Sequence, residues 1–431
     1  MTTVIIRPTE KLSGEVKAPP SKSYTHRMLI AALLSDGETI IEKPLVSDDT
    51  LATLEAVRAF GANVRQNDDF WEVNGQPLLK APTKPVNCRE SGATLRFMIP
   101  IAALALGNTK FVAGRSLSRR PIEPLLQSLK QLGVETQRNA KKPSIIVVHG
   151  GGIKGGETTL RGDISSQFAS GLLFACPRAK KDTKINITKP VESKSYIEMT
   201  LEVLWKHSIR VEISEDFSQI WVPSGQTYQP FRHKVPGDFS SAAYLLAAAA
   251  ITSSKIIIYN LDYSSKQGDK AILEILRQSG LEVKIGEGFV EVGGKLRDAI
   301  NVNAEDIPDL VPVCAAIACY TTGTSEIRNA GRLRYKESDR LTSLYTEFRK
   351  MGADITIKGD GLTIRGPCKL HGAVIDPHND HRIAMACAAA ALGAESDTII
   401  MNAECVGKSY PKFFRDLRLL GANIVDGKLD R

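Results

Sequence analysis

Apolar and polar positions repeat along this chain in one recurring order. An amphipathic helix ends at a small residue, and two short β-like runs separated by a polar turn follow it, as in AVRAFGANVRQNDDFWEVNG. Glycine at the helix end predicts a left-handed residue there, before the chain enters a hairpin. Consecutive copies lie 69 to 75 residues apart, and their marker residues are Gly61, Gly133, Ser208, Gly280, Gly352 and Gly421.

A second series of helices, rich in alanine and other small residues, alternates with the first. Stretches such as SGATLRFMIPIAALALG are apolar on nearly every face, so these helices must be buried on most sides. Together the two series predict six units, each with a buried helix, a strand, an amphipathic helix and a hairpin. The buried helices are expected to begin near residues that cap helices well, namely Ser21, Ser91, Ser165, Ser240, Asp309 and Asp380.

The six units predict an α/β protein built from two similar domains of three units each, with parallel buried helices. The last copy has only one strand, so we expect the N-terminal strand VIIRP (4–8) to complete the sixth unit. Proline-bearing connectors precede units one and four. We therefore predict a continuous domain at residues 19–235 and a discontinuous domain at residues 1–18 plus 236–431, with a hinge where the chain crosses between them.

Composition restricts the possible surroundings and ligands. The longest apolar run, at residues 242–251, is too short to span a bilayer, and the N-terminus lacks the pattern of a signal peptide. The seven cysteines contain no CxxC pair, and most lie in apolar runs, so we expect reduced thiols in a cytoplasmic protein. The net charge of +8 predicts an acidic partner, either nucleic acid or a small anion.

Cations stand where helix physics disfavours them. Lys22, Arg27, Arg96 and Arg382 fall in the first turns of predicted buried helices, whose N-termini already carry partial positive charge. If the buried helices of one domain run parallel, these ends converge on one face. Converged helix ends with added cations predict a site for a multiply charged anion, such as a phosphate or carboxylate.

Ordinary explanations compete with a binding role at each position. Lys22 and Arg27 could be solvated first-turn residues, and SSQF (165–168) could be a plain N-cap. His378 and His381 have the i,i+3 spacing of a metal-ligand pair. Because no third group of ligands is close in sequence, capping or substrate contact is favoured over a metal.

The segment YKESDRLTSLYTEFRKMG (335–352) has the pattern of an exposed helix of mixed charge. Lys336 and Arg340, however, are like charges four residues apart, which is unfavourable unless they share an anion. Arg120 is either solvated or an anion clamp. Lys408, in a loop before the last helix, could be an ordinary surface lysine.

Nine short motifs occur in one order between residues 21 and 411: SKSYTHR, SGATLR, RRPI, SSQF, SKSYIE, IPD, KESDR, NDHR and KSYP. In this order they resemble the 5-enolpyruvylshikimate-3-phosphate (EPSP) synthase family of enolpyruvyl transferases. The resemblance implies an inside-out α/β barrel of two three-unit domains. It also implies transfer of the enolpyruvyl group of phosphoenolpyruvate to the 5-hydroxyl of shikimate 3-phosphate, with release of phosphate, on the shikimate pathway to chorismate and aromatic amino acids.

The resemblance further implies that the partners are two small anionic substrates, with no cofactor, metal, nucleic acid or membrane, and that the chain is a monomer. Asp309 matches the base on the 5-hydroxyl, Glu337 the group for proton transfer at the methylene, and Lys22 a catalytic residue that touches both substrates. The residues implied for shikimate 3-phosphate are Lys22, Ser23, Arg27, Ser165, Ser166, Gln167, Ser193, Tyr196, Asp309, Arg332 and Lys336. Those implied for phosphoenolpyruvate are Lys22, Gly92, Arg120, Gln167, Arg340, Arg382 and Lys408.

Three positions depart from the pattern common in bacterial members. Glu90 and Arg332 stand where asparagine is common, and Ala93 stands where threonine is common. Glu90 and Ala93 border the implied phosphoenolpyruvate pocket. They leave the affinity for that substrate, and the response to analogues such as glyphosate, open.

Two other functions compete. The sister enolpyruvyl transferase that acts on UDP-N-acetylglucosamine typically has Lys-Asn at the position of Lys22-Ser23, and a reactive cysteine in the loop matching AGRSLSRRP. This chain has no cysteine between Cys88 and Cys176. A DNA-encircling clamp would suit six repeats and a positive charge, but it should spread lysine and arginine along exposed helices.

Overall fold

The structure is a computed structural model that describes residues 2–139 and 141–427. Helices with odd numbers below are the buried ones, and those with even numbers are amphipathic. Within the described residues the α-helices are α1 (Lys22–Leu34), α2 (Asp48–Ala59), α3 (Gly92–Leu104), α4 (Glu123–Gln131), α5 (Ser166–Ala175), α6 (Lys194–Lys206), α7 (Phe239–Ile251), α8 (Ile272–Gln278), α9 (Val311–Ala318), α10 (Arg340–Lys350), α11 (His381–Ala391) and α12 (Phe413–Leu419).

The strands of the described residues pair into six sheets of four strands each. They are β1 (Thr3–Ile6), β2 (Ser13–Lys17), β3 (Glu38–Glu42), β4 (Asn63–Gln66), β5 (Phe70–Asn74), β6 (Val86–Arg89), β7 (Asn108–Ala113), β8 (Glu135–Arg138), β9 (Ile145–His149), β10 (Gly156–Arg161), β11 (Thr183–Thr188), β12 (Glu212–Ile213), β13 (Gln219–Val222), β14 (Arg232–Lys234), β15 (Lys255–Tyr259), β16 (Leu281–Gly286), β17 (Phe289–Gly294), β18 (Asn301–Asn303), β19 (Gly323–Arg328), β20 (Ile355–Lys358), β21 (Gly361–Gly366), β22 (Val374–Ile375), β23 (Thr398–Ile400) and β24 (Ile424–Gly427).

Each sheet repeats one topology, which unit two shows. Strands β6 and β7 are parallel and are joined by the buried helix α3, after which α4 leads into the antiparallel hairpin β8–β9. The predicted order of buried helix, strand, amphipathic helix and hairpin is present. The parallel strand before each buried helix was missed, because some of these strands, such as β18 and β22, are too short to carry an alternating pattern.

The residues that end the amphipathic helices adopt the predicted left-handed conformation. The backbone φ is +102° at Gly61, +80° at Gly133, +98° at Gly280, +89° at Gly352 and +99° at Gly421. Ser208, the one marker with a side chain, also lies in this region, with φ of +63°. A residue with positive φ ends the helix and turns the chain into the hairpin, so the repeat is explained by local backbone geometry.

The N-terminal strand completes the sixth sheet, as predicted, because β1 lies between β23 and β24. Two other strands are exchanged between sheets. Strand β2 precedes α1 in sequence but pairs with β15 of unit four, and β14 precedes α7 but pairs with β3 of unit one. Each of these two sheets therefore takes its outer parallel strand from a distant part of the chain.

The chain divides into two compact units. We call Pro20–Val235 the continuous unit, and Met1–Pro19 with Pro236–Arg431 the discontinuous unit. Each has its own hydrophobic core: helices α1, α3 and α5 contribute to the first, and α7, α9 and α11 to the second. No helix in the described part of the chain combines the length and the apolar character needed to cross a bilayer.

Four of the six predicted helix caps are confirmed: Ser21, Ser91, Ser165 and Asp380 each accept a hydrogen bond from a backbone N–H of the first turn. The other two expectations are wrong. Asp238, not Ser240, caps α7, accepting from the Ser241 N–H at 2.8 Å, while the Ser240 hydroxyl donates to the Asp269 carboxylate. Asp309 lies in a 3₁₀ turn, Pro308–Leu310, and its carboxylate binds cations instead of a helix end.

Candidate active site

Lys22 is the first residue of α1 and begins the candidate site of the continuous unit. Its Nζ lies 2.9 Å from Oδ2 of Asp49, a carboxylate in the first turn of α2. The Lys22 side chain is 16% exposed, so it is held beside an acid rather than solvated. Asp49 was missed because acidic residues in a first helical turn are an ordinary feature of helices.

Arg27 is buried on the same helix and organises the backbone around it. Its Nε donates to the Thr200 hydroxyl at 2.8 Å, and its two terminal nitrogens donate to the carbonyls of Ser23 and Tyr196, each at 2.9 Å. The guanidinium also lies over the rings of Phe97 and Tyr196. Burial lowers the pKa of Arg27 to about 10, so it stays charged at neutral pH.

Two arginines and an amide converge at the start of α3. A Cβ atom placed on Gly92 would lie 3.3 Å from Arg120 Nη1, 3.4 Å from Arg96 Nη1 and 3.7 Å from Gln167 Oε1. Arg96 Nη1 also donates to Gln167 Oε1 at 2.8 Å, which joins the starts of α3 and α5. We call these four residues the Gly92 cluster. A helix N-terminus with two guanidinium groups above it is suited to an anion.

The loop that carries Arg120 is fixed by Glu90. The Glu90 carboxylate accepts the backbone N–H groups of Ser116 and Leu117 at 3.2 and 2.8 Å. A Cβ at Gly114 would collide with this carboxylate, so glycine is required there. Arg120 is buried, whereas its neighbour Arg119 is exposed. The solvated alternative for Arg120 is therefore wrong. Within this unit Glu90 acts on a loop backbone, a role that the sequence did not indicate.

A chain of hydrogen bonds links the N-terminal halves of α1, α2 and α3. His26 Nδ1 and Thr53 Oγ1 are 2.7 Å apart, Thr53 and Thr94 hydroxyls are 2.7 Å apart, and Thr94 donates to Ser91 Oγ at 2.7 Å. Burial, with the nearby charges of Lys22 and Arg27, holds the pKa of His26 well below its usual value. His26 therefore joins this chain as a neutral ring.

The serines predicted to bind a substrate lie at two further helix starts of the continuous unit. Ser165 caps α5 by accepting the Gln167 N–H at 3.3 Å, and Ser165 and Ser166 line a small cavity. Ser193 precedes α6 in the left-handed conformation, with φ of +57°, and its carbonyl accepts the Tyr196 N–H at 3.1 Å. The strained Ser193 backbone turns the chain so that α6 starts beside Arg27.

Asp309 forms the centre of the candidate site in the discontinuous unit. Its Oδ2 lies 2.8 Å from Arg382 Nη2, and its Oδ1 lies 3.0 Å from Arg340 Nη1 and 3.8 Å from Lys336 Nζ. Burial alone would raise the pKa of Asp309, but these three cations hold it well below its usual value. Asp309 is thus a carboxylate at neutral pH, and it converges with the starts of α10 and α11.

Arg340 is 1% exposed and binds three carboxylates at once. Besides Asp309, its Nε donates to Asp380 Oδ2 at 2.8 Å and its Nη2 donates to Glu337 Oε2 at 2.7 Å. Burial alone would lower the pKa of Arg340, but Asp380, Glu337 and Asp309 raise it. Lys336 and Arg340 therefore share one anion within this unit, the Asp309 carboxylate.

The exposed-helix alternative for 335–352 is wrong in two respects. The helix begins only at Arg340, because residues Gly331–Tyr335 form a 3₁₀ turn and Asp339 caps α10. Its first residue is also buried, and two of the three carboxylates around it, Asp309 and Asp380, come from distant parts of the chain. No local periodicity could indicate this.

Lys336, Arg332 and Lys408 complete the predicted set of this unit. Burial lowers the pKa of Lys336 to about 8, with Asp309 acting in the opposite direction. The Arg332 guanidinium donates to the Glu305 carbonyl, and Lys408 Nζ donates to the Asn379 carbonyl. Both are less than a tenth exposed, so the surface alternative for Lys408 is wrong.

Glu347 on α10 holds the turn before α11, and the sequence did not indicate its role. Its buried carboxylate accepts the Asp376 N–H at 3.1 Å, lies 3.0 Å from His378 Nε2, and pairs with Lys350. His378 is thus tied to Glu347, not placed as a metal ligand. Among the described residues, no group of three or more His, Cys, Asp or Glu side chains is arranged to hold a metal ion.

Comparisons with known proteins agree with the motif order. A family model described as EPSP synthase (3-phosphoshikimate 1-carboxyvinyltransferase) matches residues 6–417. A 3-phosphoshikimate 1-carboxyvinyltransferase of Methanocaldococcus jannaschii is 42% identical over 98% of this chain and 99% of its own, and one of Methanocella arvoryzae is 46% identical over 95% and 97%. The solved EPSP synthase of Acinetobacter baumannii has a TM-score of 0.82 at 25% identity and covers 99% of this chain and 100% of its own. The fold expected from the resemblance is confirmed.

Proposed function

This chain belongs to the EPSP synthase (3-phosphoshikimate 1-carboxyvinyltransferase) family, and from that premise we propose that it transfers the enolpyruvyl group of phosphoenolpyruvate to the 5-hydroxyl of shikimate 3-phosphate. The family is one of transferases in aromatic amino-acid biosynthesis. The observation that carries the proposal beyond the family match is the set of buried cations around one ionised carboxylate, Asp309. Two anionic substrates and one proton acceptor require such a set.

Two groups of residues, each described within its own unit, are assigned to phosphoenolpyruvate: the Gly92 cluster of the continuous unit and the arginines beside Asp309 in the discontinuous unit. In the Gly92 cluster, Arg120 and the start of α3 offer a helix N-terminus and a guanidinium to a phosphate or carboxylate. Arg340 and Arg382 present further planar guanidinium groups, each of which donates to one oxygen of Asp309. The full set assigned to this substrate is Lys22, Gly92, Arg120, Gln167, Arg340, Arg382 and Lys408.

Shikimate 3-phosphate is proposed to bind at the starts of α5 and α6 and beside Lys336. Serine hydroxyls at a helix start suit a phosphate group, and Ser165 and Ser166 lie at the start of α5. Arg27 supports this region by fixing the Ser23 and Tyr196 backbones. The full set assigned to this substrate is Lys22, Ser23, Arg27, Ser165, Ser166, Gln167, Ser193, Tyr196, Asp309, Arg332 and Lys336.

The proposed base is Asp309, and substrate charge is proposed to activate it. Arg340 and Arg382 bind both of its oxygens and hold its pKa low, which makes it a weak base in this arrangement. An incoming phosphate or carboxylate competes for the same guanidinium groups. As the arginines turn toward that anion, the pKa of Asp309 rises and one of its oxygens becomes available to the 5-hydroxyl.

The reaction is proposed in two balanced steps. In the first, Asp309 takes the 5-hydroxyl proton while that oxygen bonds to C2 of phosphoenolpyruvate, and the methylene carbon C3 gains a proton from Glu337. Glu337 must be protonated for this step, and substrate anions that compete for Arg340 favour that form. In the second, Glu337 takes a proton back from C3 as the bond from C2 to the phosphate oxygen breaks, and the leaving phosphate accepts the proton held by Asp309. The products are the enolpyruvyl ether and inorganic phosphate.

The chain is proposed to act as a cytoplasmic monomer. All residues assigned to the two substrates belong to one chain, and both substrates are water-soluble anions. Elution of the purified protein at the mass of one chain, with full activity, is the expected result.

A phosphate-release assay with phosphoenolpyruvate and each of two acceptors tests the function. We expect release with shikimate 3-phosphate and none with UDP-N-acetylglucosamine. Release with the nucleotide sugar alone would overturn the assignment in favour of the sister transferase. Tight binding to duplex DNA without turnover would favour a clamp.

A further inference from the structure

Cys319 and Cys368 face each other across the end of α9, away from the residues assigned to the substrates. Cys319 follows the last residue of α9, and Cys368 follows β21. The Cys368 N–H donates to the Cys319 carbonyl at 2.7 Å, and the Cys368 thiol donates to the Arg365 carbonyl at 3.2 Å. A backbone hydrogen bond of this length brings the two Cα atoms into the range that a disulfide spans.

The two thiols differ in their access to solvent. Cys319 is fully buried, while Cys368 is partly exposed and is the only cysteine of the described residues that is not buried. A small oxidant in solution therefore meets Cys368 first. Cys319 then lies behind it, within bonding reach, as a resolving thiol.

The surroundings make Cys368 the reactive member. The neighbouring Cys319 thiol and the Asp354 backbone lower the pKa of Cys368 to about 6, against burial and the Asp354 carboxylate. Tyr320 and the Cys387 thiol are the other titratable neighbours, and the pKa of each is raised by burial. Cys368 is thus a thiolate at neutral pH, and the thiolate is the nucleophilic form.

We propose that Cys319 and Cys368 form a redox-active dithiol that closes to an intramolecular disulfide when hydrogen peroxide oxidises it. The Cys368 thiolate attacks the peroxide, a sulfur–oxygen bond forms, and the oxygen–oxygen bond breaks with release of water after protonation. Cys319 then attacks the Cys368 sulfur, and a second water leaves as the disulfide forms. Two thiols are oxidised, and one peroxide is reduced to two waters.

The disulfide would close a loop that contains the KESDR segment. Residues 319 to 368 include Lys336, Glu337 and Arg340, which lie between β19 and β20. Closing this loop restricts the unfolded chain and not the folded one. The oxidised form is therefore expected to melt at a higher temperature than the reduced form, and dithiothreitol should reverse this shift.

Peptide mapping of the full-length protein tests the pairing. The reduced chain is treated with a small excess of hydrogen peroxide, its remaining thiols are alkylated, and it is digested without reduction. We expect one linked peptide pair joining residues 319 and 368, with five of the seven cysteines still alkylated. Cys176→Ala, a buried thiol of the continuous unit, is the matched control and should give the same link. Oxidation of Cys368 to sulfinic acid without the link would overturn the proposal, as would links only between chains.

A pair of variants at residue 319 separates the effect of a polar neighbour from that of a covalent bond. Cys319→Ser keeps a polar group beside the Cys368 thiol but cannot form the disulfide, and Cys319→Ala loses both. Alkylation of Cys368 by iodoacetamide should be half-maximal near pH 6 in the natural chain, as the lowered pKa predicts. It should stay low in Cys319→Ser and move toward the ordinary value of about 8.5 in Cys319→Ala. The same profile in all three proteins would overturn the pairing, and the enolpyruvyl transfer activity plays no part in this readout.

Discussion

Arg27 and Arg340 are two arginines buried to the same degree, 2% and 1% exposed, whose surroundings differ in charge. Arg27 donates to a hydroxyl and two carbonyls, and burial lowers its pKa. Arg340 donates to three carboxylates, which raise its pKa. The two arginines are thus fixed in different ways: Arg27 by neutral dipoles, and Arg340 by opposite charges.

The difference has a consequence for ligand binding. A cation held by neutral groups keeps its net charge and attracts an anion directly. A cation held by carboxylates attracts an incoming anion less, and the anion must compete with the carboxylates already there. This arrangement also makes Asp309 an acid–base group that responds to substrate. Its pKa is low while the arginines bind it, and rises when an incoming anion binds them instead.

Removing Asp309 should have the largest effect on turnover. Asp309→Asn keeps the shape of the side chain but cannot take the proton of the 5-hydroxyl, so kcat should fall by about 10³- to 10⁴-fold. Affinity for shikimate 3-phosphate, measured by calorimetry, should change little. Asp360→Asn, an exposed acid of the same unit, is the control. Turnover close to normal in Asp309→Asn would remove it from the role of base.

Replacing each buried arginine by methionine tests the comparison itself. Arg340→Met leaves the Asp380 carboxylate buried without its cation, which should destabilise the protein by about 3–5 kcal/mol. Arg27→Met leaves only neutral acceptors unpaired, and we expect a loss of about 1–3 kcal/mol. Urea unfolding followed by tryptophan fluorescence and circular dichroism measures both. Equal losses would mean that partner charge does not distinguish the two sites.

Glu347 should act on the site through the turn that it holds. Glu347→Gln removes the charge that faces His378 and Lys350, and the turn before α11 should loosen. We expect kcat/KM for phosphoenolpyruvate to fall about tenfold, which corresponds to about 1.4 kcal/mol. Glu326→Gln, an exposed pair with Lys358, serves as the control. An unchanged kcat/KM would show that the turn is held without Glu347.

The pH dependence of Lys336 should give the smallest and most specific effect. Its pKa is lowered to about 8, so it is charged below that pH and becomes neutral above it. KM for shikimate 3-phosphate should therefore rise above pH 8, by at most tenfold per pH unit. Lys336→Arg stays protonated over this range, and its KM should remain flat to pH 9.5. A parallel rise in both proteins would assign the effect to another group.

The sequence predicted those features of the fold that are set by neighbouring residues. The left-handed markers such as Gly61, the caps such as Ser91 and the six-unit repeat all depend on short spacings. The exchange of β2 and β14 was not predicted, because pairing with a distant strand leaves no trace in local periodicity.

The candidate site was predicted in its residues but not in its contacts. Motif order identified Asp309, Arg340 and Arg382, yet their mutual ion pairs connect positions 31 to 73 residues apart. The sequence did not indicate the residues that position other parts of the site. Glu90 and Glu347 have the appearance of surface acids until the backbone N–H groups that they accept are seen.

The pairing of β1 bears on how the protein is made. Val4 pairs with Ile400 on one side and Asp426 on the other, and β2 pairs with β15. Because β1 and β2 are synthesised before the continuous unit and their partner strands after it, both strands still lack their neighbours while the continuous unit is made. They can join their sheets only once the rest of the discontinuous unit has been synthesised.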